Sequence, residues 1–270
     1  MSGLVVRLNA HHPQALADFF VQALGFERAA PGDGVMVLAL GASRLEIARC
    51  EGKAYPPSVP GWSPLFQHCA ITAADMPAAV ARLQAARDWT PISRGGPQRL
   101  PANTGGVTAF KFRDPEGHPL ELIAFPDAPA DAPPRIDHSA ISVTDTGASI
   151  AFYRALGLAV GSRSLNRGPE QDRLDDLDGV EVEVTALAFP GGGAHVELLC
   201  YRGDYPRDAT PAAPADVAAT RLMWPAGDFV RVAKTFAAQV VSFDQAVQRL
   251  LVRDPDGHLL QLVAAGDPAL

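Results

Sequence analysis

The sequence has few cysteines and no long apolar run, and each absence excludes a class of protein. Its three cysteines (Cys50, Cys69 and Cys200) are an odd number without a CxxC pair, so they predict neither a disulfide framework nor a thiolate zinc site. All three lie in apolar, strand-like runs, which is typical of buried, reduced thiols. No stretch reaches the roughly 18 apolar residues of a membrane-spanning helix, and the N-terminal residues do not resemble a signal peptide. The sequence therefore predicts a cytoplasmic protein.

The sequence also lacks an excess of basic residues. Thirty acidic residues against 23 basic residues give a net charge of −7, and no basic stripe or basic amphipathic helix is present. A nucleic-acid-binding protein or a membrane-surface protein would normally show one of these features. The predicted partner is therefore a small molecule. The 270 residues are enough for one large domain or two ordinary domains.

Proline- and glycine-rich stretches divide the chain into four segments of similar size. These stretches are residues 51–64, 126–135 and 203–216. Each segment between them predicts a strand, a helix and then three further strands. The predicted N-terminal half is 1–126, with modules 1–50 and 65–126, and the predicted C-terminal half is 135–270, with modules 135–202 and 217–265. Residues 127–134 form the predicted proline-rich linker.

The segments repeat in alternation. The first and third end their helices with Ala-Leu-Gly, at 23–25 and 155–157, whereas the second and fourth share Arg-Asp-Pro-acid-Gly-His, at 113–118 and 253–258. Asp-Pro-acid-Gly fits a type I turn, and it predicts a closing hairpin in both segments. Aspartates suited to capping a helix precede three of the predicted helices: Asp75, Asp145 (or its neighbour Thr146) and Asp228. Internal self-similarity of this kind predicts a duplicated module.

The stretches HCAITAADMPAAVARL, RDPEGHPLELI, IDHSAISVTDTGASIAFYRALGL and HVELL resemble the vicinal oxygen chelate superfamily. Its members include glyoxalase I, methylmalonyl-CoA epimerase, extradiol ring-cleaving dioxygenases and bleomycin- and fosfomycin-resistance proteins. The resemblance covers nearly the whole chain. It implies an α+β fold of four βαβββ modules, paired into two curled mixed β-sheets with flanking helices, each sheet enclosing a cavity.

The resemblance also implies a ligand set, because metal ligands in this superfamily come from the first and last strands of each module. In modules two and three these positions are occupied by His68, Glu121, His138 and Glu197. Aligning the repeated motifs places Val6, Glu46, Arg221 and Gln261 at the corresponding positions of modules one and four. Only the middle two modules therefore retain four ligand-type residues.

The distribution of these residues indicates which modules share a cavity. If module two pairs with module three, one cavity receives all four ligands and the other receives none of the histidines. Glyoxalase I enzymes with two modules are typically dimers with sites across the interface, and a fusion of such a chain would produce this crossed pairing. We expect the crossed arrangement. The resemblance is also compatible with a homodimer of this chain.

Two histidines and two glutamates imply one divalent metal ion: Ni, Co, Zn, Mn or Fe(II). The resemblance then implies a glyoxalase I-like lyase or isomerase, in which the metal polarises a small oxygen-chelating substrate for proton transfer. Either Glu121 or Glu197 could act as the base, and we favour Glu121. His195, two residues before Glu197, is a candidate for a hydrogen bond to a ligand or for proton shuttling.

Residues 162–179 form a long polar segment between two predicted strands, and such loops are often functional lids. Four residues of this segment are candidates for substrate contacts: Asn166, Glu170, Gln171 and Arg173. Arg94 and Arg99, in the corresponding segment of module two, could balance an anionic substrate.

Two other functions remain open. An Fe(II)-dependent ring-cleaving dioxygenase would use two histidines and one carboxylate on the same fold. A metal-free protein that binds an antibiotic or another small molecule would need none of the four ligand-type residues. Oxygen uptake and metal content distinguish these functions from the lyase or isomerase.

Overall fold

The computed structural model describes residues 4–30, 34–226 and 229–264, and it has four modules in chain order. The first consists of β1 (Val5–Ala10), α1 (Pro13–Leu24), β2 (Glu27–Arg28), β3 (Val35–Leu40) and β4 (Ser43–Arg49). The second consists of β5 (Gln67–Thr72), α2 (Met76–Ala85), β6 (Thr90–Pro91), β7 (Gln98–Arg99), β8 (Thr108–Arg113) and β9 (Pro119–Ala124).

The third module consists of β10 (Ile136–Ser142), α3 (Thr146–Ala155), β11 (Ala159–Arg167), α4 (Pro169–Asp175), β12 (Glu181–Ala188) and β13 (His195–Arg202). The fourth consists of β14 (Arg221–Ala226), α5 (Phe229–Thr235), β15 (Val240–Asp244), β16 (Arg249–Arg253) and β17 (Leu259–Ala264). Every module begins with a strand and a helix and ends with an antiparallel hairpin, as predicted.

Aspartates at the predicted positions cap two of the helices. The Asp75 side chain accepts a hydrogen bond from the Ala78 backbone N–H at the start of α2, and Asp145 accepts one from Ala148 at the start of α3. Helix α1 ends at Gly25, which adopts a left-handed conformation (φ 77°) that glycine tolerates best. The third predicted cap, Asp228, lies outside the described residues.

The four modules form two mixed sheets by crossed pairing, as expected. In the eight-stranded sheet the order is β15-β16-β17-β14-β1-β4-β3-β2, and in the nine-stranded sheet it is β11-β12-β13-β10-β5-β9-β8-β6, with β7 also paired to β8. Strand β1 pairs antiparallel with β14, and β5 pairs antiparallel with β10. Modules one and four therefore share one sheet, and modules two and three share the other. Because each sheet draws on both halves of the chain, the division into domains 1–126 and 135–270 stays a prediction.

One large core joins the two sheets. It contains helical side chains such as Phe20, Leu83 and Tyr153, and strand side chains of both sheets such as Leu120 and Leu260. The helix-covered faces of the two sheets thus bury their apolar residues together. The opposite face of the nine-stranded sheet lines a cavity.

The repeated Arg-Asp-Pro-acid-Gly-His hairpin has the same structural role in both copies. The Asp114 carboxylate accepts hydrogen bonds from the backbone N–H groups of Glu116 and His118, and the Gly117 N–H closes the turn on the Asp114 carbonyl (2.9 Å). His118 and its equivalent His258 each reach a backbone carbonyl on a distant segment: Val217 for His118 (3.2 Å) and Ser142 for His258 (2.9 Å). The repeated motif therefore fixes turns and cross-chain packing.

The segment 162–179 is not the polar loop that we predicted. Strand β11 continues to Arg167 because it pairs with β12 as far as Glu181, and Pro169 then begins the short helix α4. Helix α4 ends where Asp176 adopts a left-handed conformation (φ 54°). Backbone pairing thus continues through residues whose polar side chains had predicted a loop.

All three cysteines are free thiols. Cys50 and Cys69 are buried, as predicted, whereas Cys200 is partly exposed, which corrects the prediction that all three are buried. In the part of the chain that the structure describes, no helix has both the length and the apolar character needed to cross a membrane.

Candidate metal centre

The two central strands of the nine-stranded sheet bring the predicted ligands to one face. In the antiparallel pair of β5 and β10, His68 lies opposite Ala140 and His138 lies opposite Ala70. The parallel neighbours of these strands place Glu121 beside Ala70 and Glu197 beside Ala140. The small alanines leave space between the four longer side chains.

Three of the four predicted ligands form a compact group. One ligand atom each from His68, Glu121 and His138 can be chosen so that all lie within 4.8 Å of one another. His68 Nε2 lies 3.0 Å from Glu121 Oε2, and the two imidazole ring centroids are 5.5 Å apart. Glu197 is next to this group, with its Oε2 atom 3.6 Å from His138 Nε2, but it does not complete it.

The side chain of His68 provides the test of whether these residues fit a metal. Both of its ring nitrogens are buried, and neither has a hydrogen-bond partner, although Nε2 approaches the Glu121 carboxylate. A buried polar atom without a partner is costly and rare in a folded protein. Imidazole nitrogen and carboxylate oxygen are ligands that first-row divalent metals accept. The residues present therefore fit a divalent metal ion.

Asp137 is a residue of this site that sequence reasoning missed. Strict alternation along β10 would turn Asp137 away from the face of His138. The pairing of β10 with β5 shifts register between Ile136 and His138, as in a β-bulge, and Asp137 lines the cavity together with His138. Asp137 Oδ2 lies 3.1 Å from His138 Nδ1, while the Arg135 guanidinium donates to Asp137 Oδ1 (2.8 Å). This contact orients the His138 ring so that Nε2 faces Glu197.

His195 contacts Glu197, the ligand-type residue two positions later on β13. Its Nε2 atom lies 3.2 Å from Glu197 Oε1, and its ring lies beside that of His138, with centroids 5.3 Å apart. The predicted hydrogen bond of His195 to a ligand-type residue thus has the geometry it needs. A role in proton shuttling stays a prediction.

The electrostatics of the site keep its carboxylates ionised. Burial alone would lower the pKa of His138, but the Glu197 charge and the Asp137 hydrogen bond outweigh it and raise that pKa to about 9. Burial would raise the pKa of Glu197, yet the nearby His138 and His195 hold it at about 2. The pKa of His68 is lowered by burial, and that of Glu121 is lowered because contacts with His68 and Lys111 outweigh its burial. Metal binding requires neutral imidazoles, so it would release the proton of His138.

A second missed feature is a buried polar network that begins at Lys111. Lys111 Nζ lies 2.6 Å from Asp175 Oδ1 and 4.0 Å from Glu121 Oε2. Asp175 also accepts hydrogen bonds from Tyr201 Oη (3.0 Å) and Gln171 Nε2 (2.7 Å). Part of this network was predictable, because the hairpin that turns at Asp114 pairs Lys111 on β8 with Glu121 on β9. The contact of Lys111 with Asp175 was not predictable, because the sequence did not predict helix α4.

These residues open onto a cavity of about 450 Å³. Of the four predicted substrate contacts, Asn166 and Gln171 line it, whereas Glu170 and Arg173 do not. Arg173 Nε instead donates to Gln98 Oε1 (2.7 Å), and its Nη2 atom lies 3.5 Å from Glu170 Oε1. We therefore retain only Asn166 and Gln171 as candidates.

The predicted anion-balancing arginines also lie away from the cavity lining. Arg94 donates to the Leu177 carbonyl and to the Asp178 carboxylate, in the turn after α4. It therefore anchors that turn to module two. Arg99 is exposed in the short strand β7.

The eight-stranded sheet has no histidine at the corresponding positions. Its register places Arg221 at the position of His68, Gln261 at that of Glu121 and Glu46 at that of Glu197, as the repeats predicted. The position of His138 is occupied by Val5 and not by Val6, which packs in the main core. Our alignment was one residue out because α1 has one more residue than α3 between its N-cap and the glycine that ends it.

Comparison with known proteins supports the fold that the sequence predicted. A family model described as "Glyoxalase/Bleomycin resistance protein/Dioxygenase superfamily" matches residues 4–122 and again residues 135–262. No curated protein sequence matches the chain.

Solved structures share the fold across almost the whole chain. A V278E mutant of glyoxalase I from Zea mays is 17% identical, with a TM-score of 0.65, and the match covers 99% of this chain and 92% of that chain. The structure titled "putative dioxygenase" from Bacillus subtilis is 14% identical, with a TM-score of 0.56 and coverage of 99% and 86%. At these identities the similarity shows the fold alone.

Proposed function

Because the chain belongs to the glyoxalase/bleomycin resistance protein/dioxygenase superfamily, we propose that it is a divalent-metal-dependent enzyme of glyoxalase I type. It would act on a small molecule with two neighbouring oxygens and move a proton next to a carbonyl group. The observation that carries this proposal is the buried group of His68, Glu121 and His138, with Glu197 beside it, at a cavity of about 450 Å³.

We assign the metal to His68, His138 and Glu121, with Glu197 as a further ligand or as the proton acceptor. When bound there, a divalent ion supplies Lewis acidity to the two substrate oxygens. Imidazole and carboxylate ligands are compatible with Ni, Co, Zn, Mn and Fe(II).

Glu197 is a better candidate for the base than Glu121, which we had favoured from the sequence. Glu121 also lines the cavity, but its side chain is only 7% exposed and is held between His68 and Lys111. The Glu197 side chain is 21% exposed, lines the cavity and lies outside the compact three-residue group. In this mechanism Glu197 takes a proton from the substrate carbon, and His195 holds the carboxylate in place.

The experiment that tests the metal assignment is elemental analysis after loading with each of the five metals. We expect about one ion per chain in the wild type and a weakened occupancy in Glu121→Gln, which keeps the shape of the side chain but loses its charge. Failure of every metal to bind would overturn the catalytic proposal and favour a metal-free binding protein.

The reaction class is tested on metal-loaded protein in D₂O. Proton transfer next to a carbonyl predicts incorporation of deuterium into 2-hydroxy ketones or into the methylglyoxal–glutathione hemithioacetal, observed by NMR. Glu197→Gln should abolish the incorporation. Incorporation at the wild-type rate in that variant would contradict the assignment of the base.

One observation favours a second candidate, the Fe(II)-dependent ring-cleaving dioxygenase. The compact group holds two histidines and one carboxylate, the ligand set of many non-haem Fe(II) oxygenases, and Glu197 lies outside it. Oxygen consumption by the Fe(II)-loaded protein with catechols, without deuterium incorporation in the other assay, would establish this function in place of the first.

A further inference from the structure

The cavity has an apolar wall next to Glu121. Ile123 lies two positions after Glu121 on β9, and residues two apart on a strand share a face. Ile123 clusters with Leu174 of α4, and the cluster also includes Leu100 and Val107. All four apolar residues line the cavity. The part of module two that flanks the ligand group is therefore hydrocarbon surface.

A second, largely apolar wall lies next to Glu197. Leu199 follows Glu197 by two positions on β13, and it pairs with Val184 on β12. Tyr201, two positions further, pairs with Val182 in the same way. These four residues share the face of Glu197, and all of them line the cavity. A molecule bound at the ligand group is thus held between two apolar walls.

Carboxylates dominate the charge of the cavity. Glu121, Asp137 and Glu197 line it, and Lys111 is the one lysine or arginine that faces it among the lining residues that the structure describes. The Lys111 ammonium group already contacts Asp175 (2.6 Å). An anionic group on a bound molecule would therefore be repelled by the carboxylates and would find no unpaired cation.

Arg163 also borders the cavity, but its side chain belongs to the other face of the sheet. The register aligns Arg163 with Thr185 on β12 and then with Leu198 on β13. Leu198 directly follows Glu197 and packs in the main core, so this row of residues faces away from the ligand group. Apart from the histidines, the remaining polar residues of the lining have uncharged hydroxyl or amide side chains, such as that of Asn166.

We propose that the substrate is a small, mainly apolar molecule that carries no anionic group beyond its two chelating oxygens. The oxygens bind the metal, and the apolar part packs between the two walls. The cavity of about 450 Å³ is near the small end of the range of roughly 300–1,000 Å³ for ligand sites. This inference rests on the proposed function and narrows it. It favours 2-hydroxy ketones over the methylglyoxal–glutathione hemithioacetal, whose glutathione part carries two carboxylates.

Hydroxamates test the proposal, because they chelate metals through two neighbouring oxygens whatever group they carry. Calorimetry on the Zn-loaded protein would compare acetohydroxamate, benzohydroxamate and 4-carboxybenzohydroxamate. We expect benzohydroxamate to bind about 10-fold more tightly than acetohydroxamate, because its ring buries more apolar surface. The carboxylated probe should bind about 10-fold more weakly than benzohydroxamate, because its charge enters the cavity without a partner.

Val184→Thr tests the wall next to Glu197, since threonine keeps the shape of valine and replaces a methyl group by a hydroxyl group. The affinity for benzohydroxamate should fall about 3-fold, and that for acetohydroxamate should stay unchanged. Val241→Thr is the matched control, because Val241 is exposed on β15 of the other sheet. This control should bind every probe as the wild type does.

The outcomes separate this proposal from the proposed function. Equal or tighter binding of the carboxylated probe by the wild type would overturn the substrate assignment alone, and so would equal binding of acetohydroxamate and benzohydroxamate. Both comparisons use the wild type, so they hold even where Val184→Thr does not fold. An unchanged affinity for benzohydroxamate in folded Val184→Thr would contradict the packing of the ring against this wall. If no hydroxamate binds better to the Zn-loaded protein than to the metal-free protein, the metal-centred function itself is wrong.

Discussion

The two sheets are built from the same modules in the same register, yet the carboxylates at corresponding positions have different partners. In the nine-stranded sheet, Glu121 and Glu197 face imidazoles across an open cavity. In the eight-stranded sheet, Glu46 is fully buried and is bound by Arg7, whose Nε atom donates to Glu46 Oε2 (2.7 Å). Arg7 occupies the position of Ala140, the small residue that leaves room for a metal in the other sheet.

In the eight-stranded sheet, the Arg7 guanidinium therefore supplies the positive charge next to Glu46. The Arg7 guanidinium also approaches Gln261 Oε1 (3.5 Å), the group at the position of Glu121, and Arg44 donates to the other oxygen of Glu46 (3.0 Å). The backbone carbonyl of Pro214 accepts hydrogen bonds from Asn9 and Arg221, so residues of the 203–216 stretch contact this face. The comparison shows how the same module fold can bury a carboxylate without histidines around it: an arginine neutralises the charge.

The largest expected effect is the loss of bound metal when either histidine is removed. His68→Ala and His138→Ala should each reduce metal content from about one ion per chain to almost none, because both belong to one group. Gln261→Ala, at the position of Glu121 in the other sheet, should leave metal content unchanged. Elemental analysis measures all three. Retention of full stoichiometry in one histidine variant would mean that the histidines belong to separate sites.

Removing the internal cation tests the other sheet. Arg7→Met leaves Glu46 buried with an incompletely paired charge, and such changes cost about 3–5 kcal/mol. Urea unfolding should show this loss, while metal content stays at its wild-type value. The double variant Arg7→Met/Glu46→Leu should recover most of the stability, since it removes both charges. No recovery would show that Arg7 acts through packing and not through its charge.

Asp137→Asn tests the contact with His138 that the bulge in β10 allows. The substitution weakens the contact that orients His138, and the loss of such a partner typically lowers metal affinity by about 10- to 100-fold. Competition with a chromophoric chelator measures the affinity. Asp131→Asn, an exposed carboxylate in the linker, is the control. An unchanged affinity in Asp137→Asn would limit Asp137 to a role in folding.

The smallest expected effect concerns the hairpin that both sheets share. Burial lowers the pKa of His118, but the charge of Asp114 outweighs it, so the net pKa lies above its ordinary value of 6.5. Protonated His118 therefore stabilises the fold fully below about pH 6.5, and this contribution is lost as the pH rises through the raised pKa. Urea unfolding across this range should show a smaller pH dependence in His118→Gln than in the wild type. Equal pH dependence would contradict the assignment.

Much of the architecture was predictable because the repeats act as an internal alignment. The shared Arg-Asp-Pro-acid-Gly-His turns and the Ala-Leu-Gly helix ends identified four modules, and the distribution of His68 and His138 identified their crossed pairing. The error at Val5 arose because the ends of helices fix strand register only when the helices have equal length. Counting from the N-cap residues His12 and Asp145 would have given the correct position.

The rest of the site depends on features that leave little trace in sequence patterns. The bulge at Asp137 reverses the alternation on which strand predictions rely. Helix α4 consists mainly of polar residues between a glycine and an acidic turn, so its composition suggested a loop. Asp175, and with it the partner of Lys111, could be located only once that helix was known.

Crossed pairing also determines when each sheet can form during synthesis. Modules two and three follow one another in the chain, so the sheet with the candidate metal centre is complete once β13 has emerged. Strand β1 can pair with β14 only after the fourth module has been synthesised. The contact between Arg7 and Gln261 joins residues 254 positions apart. Contacts so distant in sequence are slow to form, and an unpaired strand edge is prone to aggregate meanwhile. We therefore expect the first module to be the part of the newly made chain that most needs protection by chaperones.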